Sequence, residues 1–266
     1  MTIVDAHVHI GCFQTIDLRN SVEDVIAIAD RMGVSKIFCT HCQGLYGSYT
    51  EGNEVIYQAM QQYPDRILGY VTVNSPRYGQ PLYDYVKDAI FNRGFSGIKI
   101  YSHPQGVGSA IPFLSVADPY MYPLFEMAQE WQVPVLAHAT SAEVDTICRN
   151  FPKLVLMMAH MGATPVSGGD WHTAISTAKK RPNLILDSTG SAMDAGMIEE
   201  AVRVIGPERV LWGSDMPMID PWINIERIRS AEISQKDKEL ILGENILRLA
   251  AHGQQTVGQI KDRLVS

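Results

Sequence analysis

Eight apolar, strand-like runs alternate with amphipathic helical stretches along the 266 residues, and this alternation narrows the accessible folds more than any other feature. The runs cover residues 3–9, 36–40, 67–73, 97–100, 133–138, 154–160, 184–187 and 210–214. Helical patterns over 51–62, 81–92, 120–131, 142–150, 170–180, 194–205 and 222–229 follow them. After the first run, Asn20 and Ser21 are placed to cap a helix, with Glu23 and Asp24 in its first turn. Val22, Val25, Ile26, Ala29 and Met32 fall at helical spacing, and Gly33 is placed to end it. Repeated strand–helix units build parallel sheets, and eight of them are the number of a (β/α)8 TIM barrel. An open doubly wound sheet shares the alternation, but it calls for a glycine-rich phosphate turn after an early strand, and "HVHIGCFQ" is not one. No flexible linker divides the chain, so residues 1–266 read as one barrel domain. The tail after Ser234 adds one or two helices, expected outside the barrel.

A formal net charge of −7 argues against nucleic acid or an anionic membrane as partner. No apolar run is long enough to span a bilayer. A strand that starts within the first few residues leaves no room for a secretory signal. Four cysteines, Cys12, Cys39, Cys42 and Cys148, are too few for a disulfide framework. Cys39 and Cys42 resemble half a zinc or redox motif, but no second pair completes it, and buried free thiols are expected. These features describe a cytoplasmic protein with a small-molecule substrate. A homodimer is the expected assembly, because it is the commonest one.

The first run, "TIVDAHVHI", is apolar on only one face. Strict alternation puts Val4, Ala6, Val8 and Ile10 on one side and Ile3, Asp5, His7 and His9 on the other. Three later runs also end in polar groups: "VPVLAHAT" brings His138, "LVLMMAHMG" His160 and "RVLWGSDMP" Asp215. One histidine at a strand end is more often a hydrogen-bonded core residue than a ligand. Five metal-competent groups at strand ends that a barrel gathers on one rim point to a divalent metal site. Imidazole and carboxylate donors suit zinc first, with manganese and iron as alternatives. A cation with an open position acidifies a bound water, and Asp215 and a histidine are the natural proton carriers. Asp5 lies deeper on the strand and reads as a supporting group.

The pieces "DAHVHIG", "GIKIY", "LAHA", "AHMG", "WGSDMP" and "GENILRL" stand in an order that resembles the amidohydrolase superfamily. More narrowly, they resemble the amidohydrolase 2 branch, which includes aminocarboxymuconate-semialdehyde decarboxylase. The resemblance covers nearly the whole chain. It implies a metal held by His7, His9, His138 and Asp215, with Asp215 also serving as general base. It places His160 beside the metal, polarising substrate or activating water. It implies a hydrolase of amide, ester or lactone bonds, with a metal-dependent decarboxylase or hydratase of a small carboxylated substrate as the alternative.

Lys99 in "GIKIY" shares a face with Gly97 and Tyr101. If that face is the barrel interior, its ammonium needs a partner. The reading favours Asp5 or a substrate carboxylate over the carbamate that bridges two metals in some branches of the superfamily. His41, His103 and Tyr101, from rim loops and strand ends, are further candidates for substrate contact, as is Arg77. Trp171, His172 and His252 read as structural.

Overall fold

Helix α1, Val22–Met32, forms where local chemistry places it: Ser21 and Asp24 make a reciprocal capping box. Gly33 ends it in the left-handed conformation, φ 71°. Val25, Ile26, Ala29 and Met32 bury one stripe against the sheet. The same logic repeats around the chain, whose computed structural model describes residues 1–13, 18–73, 79–101, 115–162, 169–190 and 194–265. Arg77 and His103 lie outside the described residues.

Eight parallel strands form the barrel wall, each hydrogen-bonded to the next in chain order. They are β1 (Ile3–Phe13), β3 (Val34–His41), β4 (Ile67–Val73), β5 (Gly97–Tyr101), β6 (Val135–His138), β7 (Leu156–Met158), β8 (Leu184–Asp187) and β9 (Val210–Leu211). The short β2 (Leu18–Asn20) pairs antiparallel with the end of β1. Three backbone hydrogen bonds close the barrel between β1 and the chain just beyond β9. Ala6 donates to the Trp212 carbonyl at 3.1 Å, Asp215 to His7 at 2.8 Å and His9 to Met216 at 2.9 Å. The last strand is therefore shorter by hydrogen-bond ladder than the expected 210–214, although the chain continues along β1.

One expectation about β1 fails. Asp5 pairs with Ile37 and Val8 with Cys39, so β1 advances three residues while β3 advances two. This bulge breaks strict alternation. Val4 and Ala6 belong to the inner cluster with Phe38, Tyr70, Leu136 and Leu211, whereas Val8 and Ile10 pack outward with Ile3 beneath the helices. An unbroken period of two would have separated Ala6 from His7 by a full face.

The tail also differs from expectation. The C-terminal helix, Asn245–Val265, sets Ile246, Leu249 and Ala250 into the inner cluster rather than only against the barrel wall. It closes the amino-terminal end of the barrel, so the polar strand ends lie at the opposite mouth. Between these ends, Tyr70 fills the interior and donates to the Ala6 carbonyl at 3.0 Å. Gly97 makes room for it: a Cβ there would lie 2.5 Å from the Tyr70 ring.

Candidate metal centre

The upper interior of the barrel is polar and almost closed to solvent. His7, His9, Lys99, His138, His160, Asp187 and Asp215 are all buried. The nearest ligand atoms of His7, His160 and Asp215 lie within 4.8 Å of one another. His9 Nε2 is 3.2 Å from Asp215 Oδ1, and His7 Nε2 is 3.9 Å from the same oxygen. The His138 ring centroid is 4.9 Å from that of His160 and 4.6 Å from that of Tyr101. Four strands and the turns beyond them thus bring five sequence-derived candidates to one place.

Each approaches differently. His7, His9 and His138 project from strands β1 and β6. His160 lies two residues beyond β7, on a left-handed turn in which His160 has φ 60° and Met161 φ 48°. Asp215 is also left-handed, φ 58°. Such conformations cost on the order of 1–3 kcal/mol for an ordinary side chain, and they persist where surrounding bonds over-determine them. Here they do, because the Asp215 N–H is held by the His7 carbonyl and His160 by the turn after β8.

The far nitrogens of three histidines are engaged by a second layer of partners. Asp187 Oδ2 accepts from His7 Nδ1 at 2.7 Å, and the Thr189 carbonyl accepts from His160 Nδ1 at 3.0 Å. Thr40 Oγ1 meets His9 Nδ1 at 2.8 Å. The carboxylate and the carbonyl can only accept, so they fix the Nδ1–H tautomers of His7 and His160 and leave their Nε2 atoms unprotonated, whereas His9 Nε2 faces the Asp215 carboxylate. Burial lowers the pKa of His7 far below the ordinary range, with Lys99 and the neighbouring imidazoles adding to it. Burial also lowers His9 and takes His160 down to about 4. Neutral imidazoles result. Burial opposes ionisation of Asp215, but His160, His9 and Lys99 outweigh it and hold the carboxyl below its usual range. A carboxylate and bare imidazole nitrogens on one cavity fit a divalent cation of the zinc, manganese or iron type.

Asp187 was missed in the sequence, although "LILD" carries it at a strand end on the face of Ile185. Burial pushes it up to about 6, against the hydrogen bonds that Thr189 makes to its Oδ1. Lys99 faces the interior, but it does not pair with Asp5. Its Nζ is 2.9 Å from His7 Nε2, and the carboxylates that act on it are Asp215 and Asp187. Burial takes its ammonium down to about 8. Asp5 instead ties the two ends of the site together, its Oδ1 accepting from the N–H groups of His7 at 3.1 Å and Ser214 at 2.9 Å.

His41 is not among the clustered groups. Its Nδ1 accepts from the Gln43 N–H at the start of α2, Cys42–Tyr46, and its ring lies over Gly11, where a Cβ would be 2.5 Å from Nε2. His172 stacks on Trp171, whose Nε1 donates to Asp194. All four cysteines are free, three of them buried and Cys12 exposed.

A buried carboxylate–imidazole cluster at the carboxyl ends of barrel strands defines an enzyme of the metal-site barrel class. More particularly, residues 24–249 match the family model described as amidohydrolase, and the chain belongs to that family. No curated protein matches. Solved structures share the fold at low identity. The 2,6-dihydroxybenzoate decarboxylase from Rhizobium superposes with TM-score 0.72 at 14% identity, over 94% of this chain and 98% of that one. The 4-oxalomesaconate hydratase LigJ from Rhodopseudomonas palustris gives 0.68 at 17% identity, over 100% of both chains. The 5-carboxyvanillate decarboxylase from Novosphingobium aromaticivorans, complexed with manganese and 4-hydroxy-3-methoxy-5-nitrobenzoic acid, gives 0.71 at 16% identity, over 94% and 96%.

Proposed function

We propose that this amidohydrolase-family chain is a divalent-metal-dependent lyase that removes the carboxyl group of a small carboxylated aromatic or dienoate substrate. The observation that carries this reading is Lys99, a buried ammonium at the same mouth as the imidazole cluster. A second cation beside a metal site suits a substrate that brings its own carboxylate. The decarboxylases and the hydratase that share the fold act on such compounds by their names, which supports the same choice.

His7, His9, His138 and Asp215 would hold the cation, which when bound supplies positive charge to polarise an oxygen of the substrate. Lys99 and Tyr101 would contact the substrate. His160, anchored through Nδ1, presents Nε2 to the cavity as a neutral proton acceptor or relay. Asp215 carries a proton from water to the substrate carbon. The C–C bond to the carboxylate breaks, the electron pair stays on that carbon and takes the proton, and CO2 leaves. Manganese is the ion to load first, since the Novosphingobium decarboxylase holds it; zinc, the first expectation from the sequence, suits the same donors.

Hydrolysis of an amide, ester or lactone is the second reading, favoured by the pairing of Asp215 with His9, which places a base beside the cation site. One experiment separates the two. The manganese-loaded protein is offered 2,6-dihydroxybenzoate, 5-carboxyvanillate and a panel of lactones and amides in H2(18)O. Release of CO2 without isotope in the organic product supports the lyase. Isotope incorporation into a product carboxylate without CO2 overturns it.

A further inference from the structure

The helix Pro221–Ser230 sends two side chains back under the mouth of the barrel. Asn224 is buried, and its Nδ2 donates to the Ser214 carbonyl at 2.8 Å. That carbonyl belongs to the peptide unit whose N–H, from Asp215, donates to His7 O at 2.8 Å. The peptide before Asp215 is therefore bolted on both edges, and the strained φ of 58° follows directly after it. Arg227 Nη1 is shared between Asn224 Oδ1 at 3.2 Å and the Gly190 carbonyl at 3.4 Å. Gly190 backs the His160 ring, since a Cβ there would lie 3.0 Å from Nδ1. It directly follows Thr189, whose carbonyl holds His160 and whose N–H and hydroxyl hold Asp187.

We propose that Asn224 and Arg227 are positioning residues, a hydrogen-bonded chain from the Gly190 carbonyl to the Ser214 carbonyl that sets the separation of Asp215 from His7 and His160. Arg227 fixes which way the Asn224 amide points. The amide then aims the peptide that aims Asp215. The metal arm of the test rests on the ligand role given to Asp215 above; the exchange arm does not.

Asn224→Asp distinguishes this role from simple packing. The substitution is isosteric and keeps an acceptor for Arg227, so the packing of the side chain is preserved. It replaces the donor facing the Ser214 carbonyl with an acceptor. We expect amide hydrogen exchange at Asp215 to quicken by about tenfold or more beyond any change at the other barrel amides, and Mn2+ affinity by calorimetry to fall by about 10–100-fold. Arg227→Met should lower affinity by a smaller factor, and Arg227→Lys should recover part of it. Unchanged Asp215 exchange in folded Asn224→Asp overturns the proposal. If that variant does not fold, Arg227→Met decides in the same way: quickened exchange at Asp215 supports the clamp, and unchanged exchange overturns it. Failure of the wild-type protein to bind Mn2+ removes the metal reading only, because the exchange arm still tests the clamp.

Discussion

Asp187 Oδ2 and His7 Nδ1 meet at 2.7 Å, between two buried groups 180 residues apart in sequence. The carboxylate accepts from Nδ1 and so leaves Nε2 unprotonated, an acceptor that Lys99 Nζ meets at 2.9 Å. Asp187→Asn offers an N–H to Nδ1 instead, which moves the imidazole proton to Nε2 and blocks ligation. Mn2+ affinity should fall by about 10–100-fold in a protein that still folds. Calorimetric titration checks it.

His160 and Asp215 both occupy left-handed backbone, and asparagine tolerates that conformation better than most residues. Asparagine variants at these two sites therefore isolate chemistry from backbone strain. His160→Asn should retain Mn2+ and lose turnover by about 10²–10⁴-fold, the usual worth of an acid–base group. Asp215→Asn should lose both. Paired metal titration and steady-state rates on whichever substrate responds would read the split.

The core behind the site makes its own demand. A Cβ at Gly97 would meet the Tyr70 ring at 2.5 Å and the Pro134 carbonyl at 3.1 Å, with little room for either to retreat. Gly97→Ala should cost about 1–3 kcal/mol, as overpacking does. Denaturant unfolding of the two proteins measures it.

Thiol reactivity follows from burial. Burial pushes Cys39 and Cys42 far above the ordinary thiol range and takes Cys148 up to about 12, while Cys12 is exposed. A raised thiol pKa means less thiolate at any pH below it, so at pH 8 these three are slow toward iodoacetamide. Mass spectrometry of the native protein should find Cys12 modified first, with the others labelled only in denaturant.

Much of this site was legible because the strand ends break an otherwise apolar pattern. His7, His9, His138, His160 and Asp215 are polar where a purely structural strand would be Val, Ile or Leu, and the eightfold alternation predicts that such ends meet. Asp187 carries the same signature, ending Leu184–Asp187 as His138 ends Val135–His138, and was equally legible. The bulge in β1 was not legible, since Val4, Ala6, Val8 and Ile10 satisfy a buried strand in either register. Nor was the seat of the C-terminal helix: an apolar stripe such as Ile246, Leu249 and Ala250 says that a face is buried, not which surface receives it. The partner of Lys99 depended on which residues oppose it across the barrel, and β1 brings His7 there rather than Asp5.

Anomalous diffraction from crystals of the manganese-loaded protein tests the whole account at its root. It should reveal one manganese peak per chain in the upper barrel, about 2.0–2.3 Å from Nε2 of His7, His9 and His138 and from an Asp215 carboxylate oxygen. A cavity without a peak at saturating Mn2+, or a peak bound elsewhere on the molecule, would contradict it.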